Sequence, residues 1–284
     1  MTGKLIALVD GSAYSKSVCE HAAWVVKRTG ITVELLHMLG RREGSASADL
    51  SGSLALGARS ALLDQLSSLD QQRSKLAVQR GRAILEDARS LLEAAGVRDV
   101  VEQLRHGDLV DELEERTSGA EMILIGKRGE GADFAKGHLG SDLERVVRST
   151  DKPLLVASRS YRPIEKVLVA YDGSPSALRA VDYVAHSPLY QGLQVTVVMA
   201  GPNTDKAKQD LADVGSLLGH AGCVVETELL PGQPEDTLPK LVEDAGFDHL
   251  VMGRSGHSRL RALFVGSTSL EMIRTCKVPI LLVR

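Results

Sequence analysis

The second half of this chain repeats the first, and that constrains its fold more than any other feature. Lys4-Leu5-Ile6-Ala7-Leu8-Val9-Asp10-Gly11-Ser12 returns as Lys166-Val167-Leu168-Val169-Ala170-Tyr171-Asp172-Gly173-Ser174, an offset of 162. Residues 31–37 return at the same offset as 193–199. Further on, Gly107 matches Gly232 and Leu124-Ile125-Gly126 matches Val251-Met252-Gly253. Gly140-Ser141 then matches Gly266-Ser267, and residues 152–156 match 278–282. Matches in one unbroken order mark a tandem duplication. The 284 residues are thus expected to form two similar units, 1–158 and 163–284, joined by a short polar linker at 158–163.

Each unit reads as five strands alternating with helices. The strands are continuous apolar runs, as required when both faces of a sheet are covered. Alternation of this kind predicts an α/β fold with two tandem, doubly wound, parallel five-stranded sheets. Ligands of such sheets bind beyond the carboxyl ends of the strands. Asp10, His37 and Gly126 fall at strand ends in the first unit; Asp172, Met199 and Gly253 do so in the second. One crevice per unit is the consequence.

The first unit carries 37 extra residues between its second strand and Gly107. Residues 41–53 are rich in Gly and Ser and read as a loop. Leu62, Leu66 and Leu69, then Leu85, Ala88 and Leu92, follow helical spacing, so 56–94 is expected to form one long or two shorter amphipathic helices. The insertion as a whole covers about 41–96. Ala207, Leu211, Val214 and Leu218 mark a single helix at the corresponding place in the second unit.

Composition narrows the partners. With 1 Trp, 5 Tyr and 3 Phe the chain lacks the exposed aromatic platforms of single-stranded nucleic-acid binders. A net charge of −3 and a pI near 6.3 give no bulk attraction to nucleic acid or anionic membrane. No apolar run is long enough to cross a bilayer, and the N-terminus lacks the apolar core of a signal peptide. Cys19, Cys223 and Cys276 have no disulfide or zinc spacing and are expected to be reduced thiols, so a cytoplasmic location is expected.

The chemistry concentrates after the fourth strand of the second unit. Gly253-Arg254-Ser255-Gly256 is followed, nine residues on, by Gly266-Ser267-Thr268 at a helix start. Spaced glycines let backbone approach a phosphate, and a helix start supplies N–H donors beside a hydroxyl. Arg254, His257, Arg259 and Arg261 lie in the stretch without an acid, which suits an anion. The first unit has Gly126-Lys127-Arg128-Gly129, but ten residues separate it from Gly140-Ser141, and Glu130 and Asp133 offset Lys127, Arg128 and Lys136. The second crevice is therefore ranked above the first.

The repeat and this motif resemble the universal stress protein family in its tandem form, over essentially the whole chain. Nucleotide-binding members of that family carry G-x2-G-x9-G-[S/T] after the fourth strand, which residues 253–267 reproduce; residues 126–141 depart by one inserted residue. The resemblance implies a three-layer α/β/α fold of the adenine nucleotide alpha hydrolase-like, flavodoxin- or Rossmann-like kind. It further implies that Asp172 at the end of the first strand, beyond Ala170, meets adenosine, and that backbone at Ala200 contacts adenine. Met252 would lie against the nucleoside, with Gly253, Arg254, Gly256, Gly266, Ser267 and Thr268 around ribose and phosphates. In the first unit the same roles fall to Asp10, Met38, Gly126, Gly129, Gly140 and Ser141. The implied ligand is ATP, or AMP or ADP, with Mg²⁺ accompanying the triphosphate. The final strands, 153–156 and 279–283, would pair the two units as an internal pseudo-dimer, with room for a further homodimeric association.

Plainer readings stand beside these. Asp172-Gly173-Ser174-Pro175 also reads as a turn and helix cap. His37 reads as a packed strand-end side chain, and His106, His220 and His249 show no triad or metal spacing. There is no P-loop and no nucleophile elbow, so no catalytic residue is assigned. The expected function is a nucleotide-responsive stress regulator. The alternatives are a nucleotide-independent interaction scaffold, or an enzyme with at most slow ATP hydrolysis or phosphotransfer.

Overall fold

The computed structural model describes residues 3–40, 56–129, 139–254 and 267–284, with side chains of the long inserted helix from Gln65 onward. The first repeat runs β1 (Lys4–Leu8), α1 (Ser15–Thr29), β2 (Thr32–Leu39), α2 (Leu56–Ala94), β3 (Val100–His106), α3 (Leu109–Arg116), β4 (Ala120–Gly126), α4 (Ser141–Ser149) and β5 (Leu154–Ala157). The second follows as β6 (Lys166–Ala170), α5 (Pro175–His186), β7 (Gln194–Ala200), α6 (Asp205–His220), β8 (Val224–Leu230), α7 (Pro234–Asp244), β9 (His249–Gly253), α8 (Ser267–Thr275) and β10 (Ile280–Val283).

Within each repeat the five strands are parallel, in the order 3-2-1-4-5. The two sheets do not stay separate. β5 and β10 pair antiparallel, with Ile280 opposite Val156, Leu281 opposite Leu155 and Leu282 opposite Leu154. One ten-stranded sheet results, ordered β3-β2-β1-β4-β5-β10-β9-β6-β7-β8. The expected doubly wound halves are thus present, fused along their last strands.

Strand alternation sends neighbouring side chains to opposite faces. Leu5 and Ala7 join a core packed under α1, α2, α5 and α6, while Ile6 joins a second core under α3, α4, α7 and α8. Each core draws residues from both repeats, so burial is continuous across the seam. The inserted segment is one helix, not two. Its C-terminal half packs Leu85, Ala88 and Leu92 into the first core. Gly81 permits that approach: a methyl group there would come within 2.9 Å of His37 and 2.6 Å of Leu104. The preceding turns stand clear of the sheet, with Leu66, Leu69 and Leu76 exposed.

An aromatic cluster lies at the contact between repeats. The His249 ring stacks on Tyr190 and meets Trp24 edge-on, with centroids 5.9 Å apart in each case. Its Nδ1 donates to the Pro279 carbonyl at 3.0 Å, and its Nε2 accepts from the Tyr190 hydroxyl at 3.0 Å. His21 meets Tyr161 edge-on at 5.0 Å and donates from Nδ1 to the Ser17 carbonyl at 2.7 Å. Among the described residues no helix is long and apolar enough to cross a membrane.

Candidate functional site

In the second repeat β6 lies between β9 and β7. Ala170 is registered against both Met252 and Val198, so the chain leaving β6 at Asp172 emerges between the ends of those two neighbours. This is the switch point at which helices depart to opposite faces. Gly173 has φ +75°, a value that favours glycine, and turns the chain toward α5. Asp172 Oδ1 accepts from the Ser174 N–H at 2.9 Å; Ser174 Oγ accepts from the Ala177 N–H at 3.1 Å, capping α5 with Pro175 in its first turn. The turn-and-cap reading of this segment is therefore real, and it leaves the Asp172 side chain exposed at the crevice.

Gly253 ends β9 against the first turn of α5. A methyl group there would sit 2.6 Å from the Ala177 nitrogen and 2.6 Å from the Ser176 carbonyl carbon, so glycine is required for packing. Met252 and Ala170 belong with the second core, Met252 almost fully buried, and Ala200 is half-buried at the end of β7. Ser267 opens α8 and is exposed. The Thr268 hydroxyl donates to Glu235 at the start of α7, tying two helix starts together. Gly256 and Gly266, with His257, Arg259 and Arg261, lie outside the described residues.

Arg254, expected at the ligand, instead turns its guanidinium into the contact between repeats. It is 4 % exposed and donates to the Thr150 carbonyl. Burial lowers its pKa to about 10, so it remains charged at neutral pH. Sequence reasoning missed Ser269, whose buried hydroxyl donates to the Arg254 carbonyl at 3.1 Å and lies 3.4 Å from that of Gly253. The available signal was the contrast between copies, because the equivalent residue in the first repeat is Leu143.

The first crevice is described more fully. Asp10 follows β1, which lies between β4 and β2. Asp10 Oδ1 accepts from the Ser12 N–H at 2.9 Å and the Ser15 hydroxyl at 3.2 Å. Gly129 stands directly against it: a methyl group on Gly129 would reach within 3.0 Å of Asp10 Oδ2. Gly140 in turn lies beside Gly129, its equivalent position 3.5 Å from the Gly129 nitrogen. The N-cap of α4 is Gly140, which has no side chain to cap the helix beginning at Ser141. Backbone N–H groups and a helix start therefore border the Asp10 carboxylate, a donor set that fits a phosphorylated ligand. Gly126 packs on Tyr14, and Met38 is half-buried on β2. His37 is buried and donates from Nδ1 to the Val9 carbonyl at 2.7 Å, a packed strand-end side chain.

The fold is that of a tandem α/β protein in which each repeat carries an aspartate, Asp10 or Asp172, just beyond the carboxyl end of its first strand. The chain belongs to the universal stress protein family, which it matches twice, over residues 1–158 and 163–284. It is 37 % identical over 285 residues to a universal stress protein of Synechocystis sp., covering 99 % of each chain. The crystal structure of a universal stress protein from Archaeoglobus fulgidus superposes with a TM-score of 0.74 at 23 % identity, covering 99 % of this chain and 98 % of that one. A shorter universal stress protein, solved in complex with cAMP, aligns with 43 % of this chain and 98 % of its own at 27 % identity and a TM-score of 0.38.

Proposed function

We propose that this protein binds an adenine nucleotide, ATP or AMP, mainly in the crevice of the second repeat, and acts as a nucleotide-responsive stress regulator. The observation that carries the reading is the approach of Gly129 to Asp10, with Gly140 against Gly129, because it joins the strand-one acid to the motif glycines. The second repeat carries the same acid, Asp172, after its first strand, with the family glycine spacing intact in its sequence. Asp172 would meet the sugar or base, and backbone N–H groups with Ser267 the phosphates. Any Mg²⁺ would arrive with the triphosphate, held largely by phosphate oxygens and water. Ligand binding to the folded state stabilises it by about 2.7 kcal/mol at a hundredfold excess over Kd.

Calorimetric titration with ATP and AMP tests this. Loss of most of the affinity in Asp172→Ala and Gly266→Val, leaving only the weaker first crevice, with binding largely retained in Asp10→Ala, is the expected result. No heat at millimolar nucleotide would end the proposal. A nucleotide-independent scaffold is the second reading, favoured by the burial of Arg254 between the repeats; its interactions would persist in nucleotide-stripped protein.

A further inference from the structure

The residue after the strand-four glycine is Lys127 in the first repeat and Arg254 in the second. Both side chains leave their own repeat. Lys127 Nζ donates to the Cys276 carbonyl at 2.6 Å, and Arg254 Nη1 donates to the Thr150 carbonyl. Thr150 and Cys276 are themselves repeat-equivalents: each N–H closes the last turn of a motif helix, Thr150 on Val146 of α4 and Cys276 on Met272 of α8. The two contacts are thus one contact made twice, about the pseudo-twofold axis.

We infer that Lys127 and Arg254 are positioning residues that couple the two crevices, each gripping the C-terminal end of the helix whose start borders the opposite site. The inference rests on the nucleotide reading above. Cations at a helix C-terminus are favourable, because the dipole and the unpaired carbonyls are negative there. Neither cation has a carboxylate within ion-pair distance among the described residues, so the helix end is what they answer. Burial depresses Lys127 to about pKa 8, a cost that an apolar side chain would avoid if packing were the only requirement. The linkage is contiguous. Ser269, in the first turn of α8, holds the Arg254 carbonyl; the Arg254 side chain holds Thr150 at the end of α4; and α4 starts beside Gly129 and Asp10. A nucleotide that shifts one motif helix therefore moves the strand-four turn of the other repeat.

The test is ATP titration of the full chain by calorimetry, with each crevice isolated. In an Asp10→Ala background, which leaves the second crevice, Lys127→Met is expected to weaken binding about tenfold, within the usual range of coupling between sites. In an Asp172→Ala background, Arg254→Met is expected to do the same to the first crevice. Lys127→Arg and Arg254→Lys, which keep a donor and a charge, should restore most of the affinity. Arg28→Gln is the control, since it removes a different contact between repeats, that of Arg28 Nε to the Leu189 carbonyl at 2.6 Å. It should lower stability and leave affinity unchanged. If the parent binds ATP and both Met variants bind it equally well, the coupling is refuted and the nucleotide reading survives. Equal weakening by Arg28→Gln also refutes it, because general loosening would then explain the effect. Absence of binding in the parent overturns both.

Discussion

Leu155 lies opposite Leu281 in the central antiparallel pair, and each is the other's counterpart in the duplicated sequence. A residue that pairs with its own equivalent sits on the symmetry axis, as in an isologous dimer. Here that axis runs through the interior of one chain. Both leucines are fully buried, one in each repeat's final strand.

Leu155→Ala and Leu281→Ala should therefore each destabilise the protein by about 2–5 kcal/mol, the usual cost of a core leucine cavity. Because the two side chains are neighbours, the double variant should depart from additivity by about 0.5 kcal/mol or more. Denaturant unfolding of the four proteins measures this. Strict additivity would mean that the pairing across the seam is not as described.

Gly253, the first glycine of one motif, and Gly140, the last glycine of the other, differ in room. A methyl group on Gly253 would strike the backbone of α5 at 2.6 Å, whereas on Gly140 it would make ordinary contact at 3.5 Å. Gly253→Ala should lower the melting temperature, with a cost of about 1–3 kcal/mol from overpacking. Gly140→Ala should melt within a degree or two of the parent.

The buried histidines set the acid limit of stability. Burial lowers His21 to about pKa 4 and His249 to about 3, from an ordinary value near 6.5. Between those values the unfolded chain binds the proton and the folded chain does not, so stability falls as pH drops below about 6.5. Each histidine contributes up to about 1.4 kcal/mol per pH unit across its window. His249→Gln, which keeps both hydrogen-bonding capacities, should flatten the pH dependence of unfolding between pH 6 and 4. An unchanged slope would exclude His249 as a source.

Lys127 predicts the opposite limb. Its folded pKa of about 8 lies below the unfolded value, so the unfolded chain holds the extra proton above pH 8 and stability rises with pH. Relative to Lys127→Met, the parent should gain stability between pH 8 and 9. Above that range Cys19 and Cys276, raised by burial to about 12 and 11, act in the contrary sense.

What could be read in advance follows from where the information lies. The repeat and the alternation of apolar runs are properties of order along the chain, so the strands and their carboxyl-end residues were legible, whereas the pairing of the last strands was implied only by the family resemblance. The direction of a side chain is not such a property. Arg254 counted as one more cation near a phosphate motif, yet its guanidinium meets Thr150, and only the packing of the other repeat decides that. Helical spacing around Gly81 admitted one helix or two; the close approach of α2 to His37 and Leu104 explains why a glycine can stand mid-helix without ending it. His249 carried no motif, and its role as a buried link between Tyr190 and Pro279 depends on a partner 59 residues away.

The antiparallel seam between β5 and β10 also fixes a stoichiometry. In a protein assembled from separate subunits such a seam would come apart on dilution, and identical halves would be exchanged among molecules. Tethered within one polypeptide, the halves face each other at a constant effective concentration. The two crevices are thereby always delivered as a pair, and each can diverge in sequence from the other while the pairing is kept.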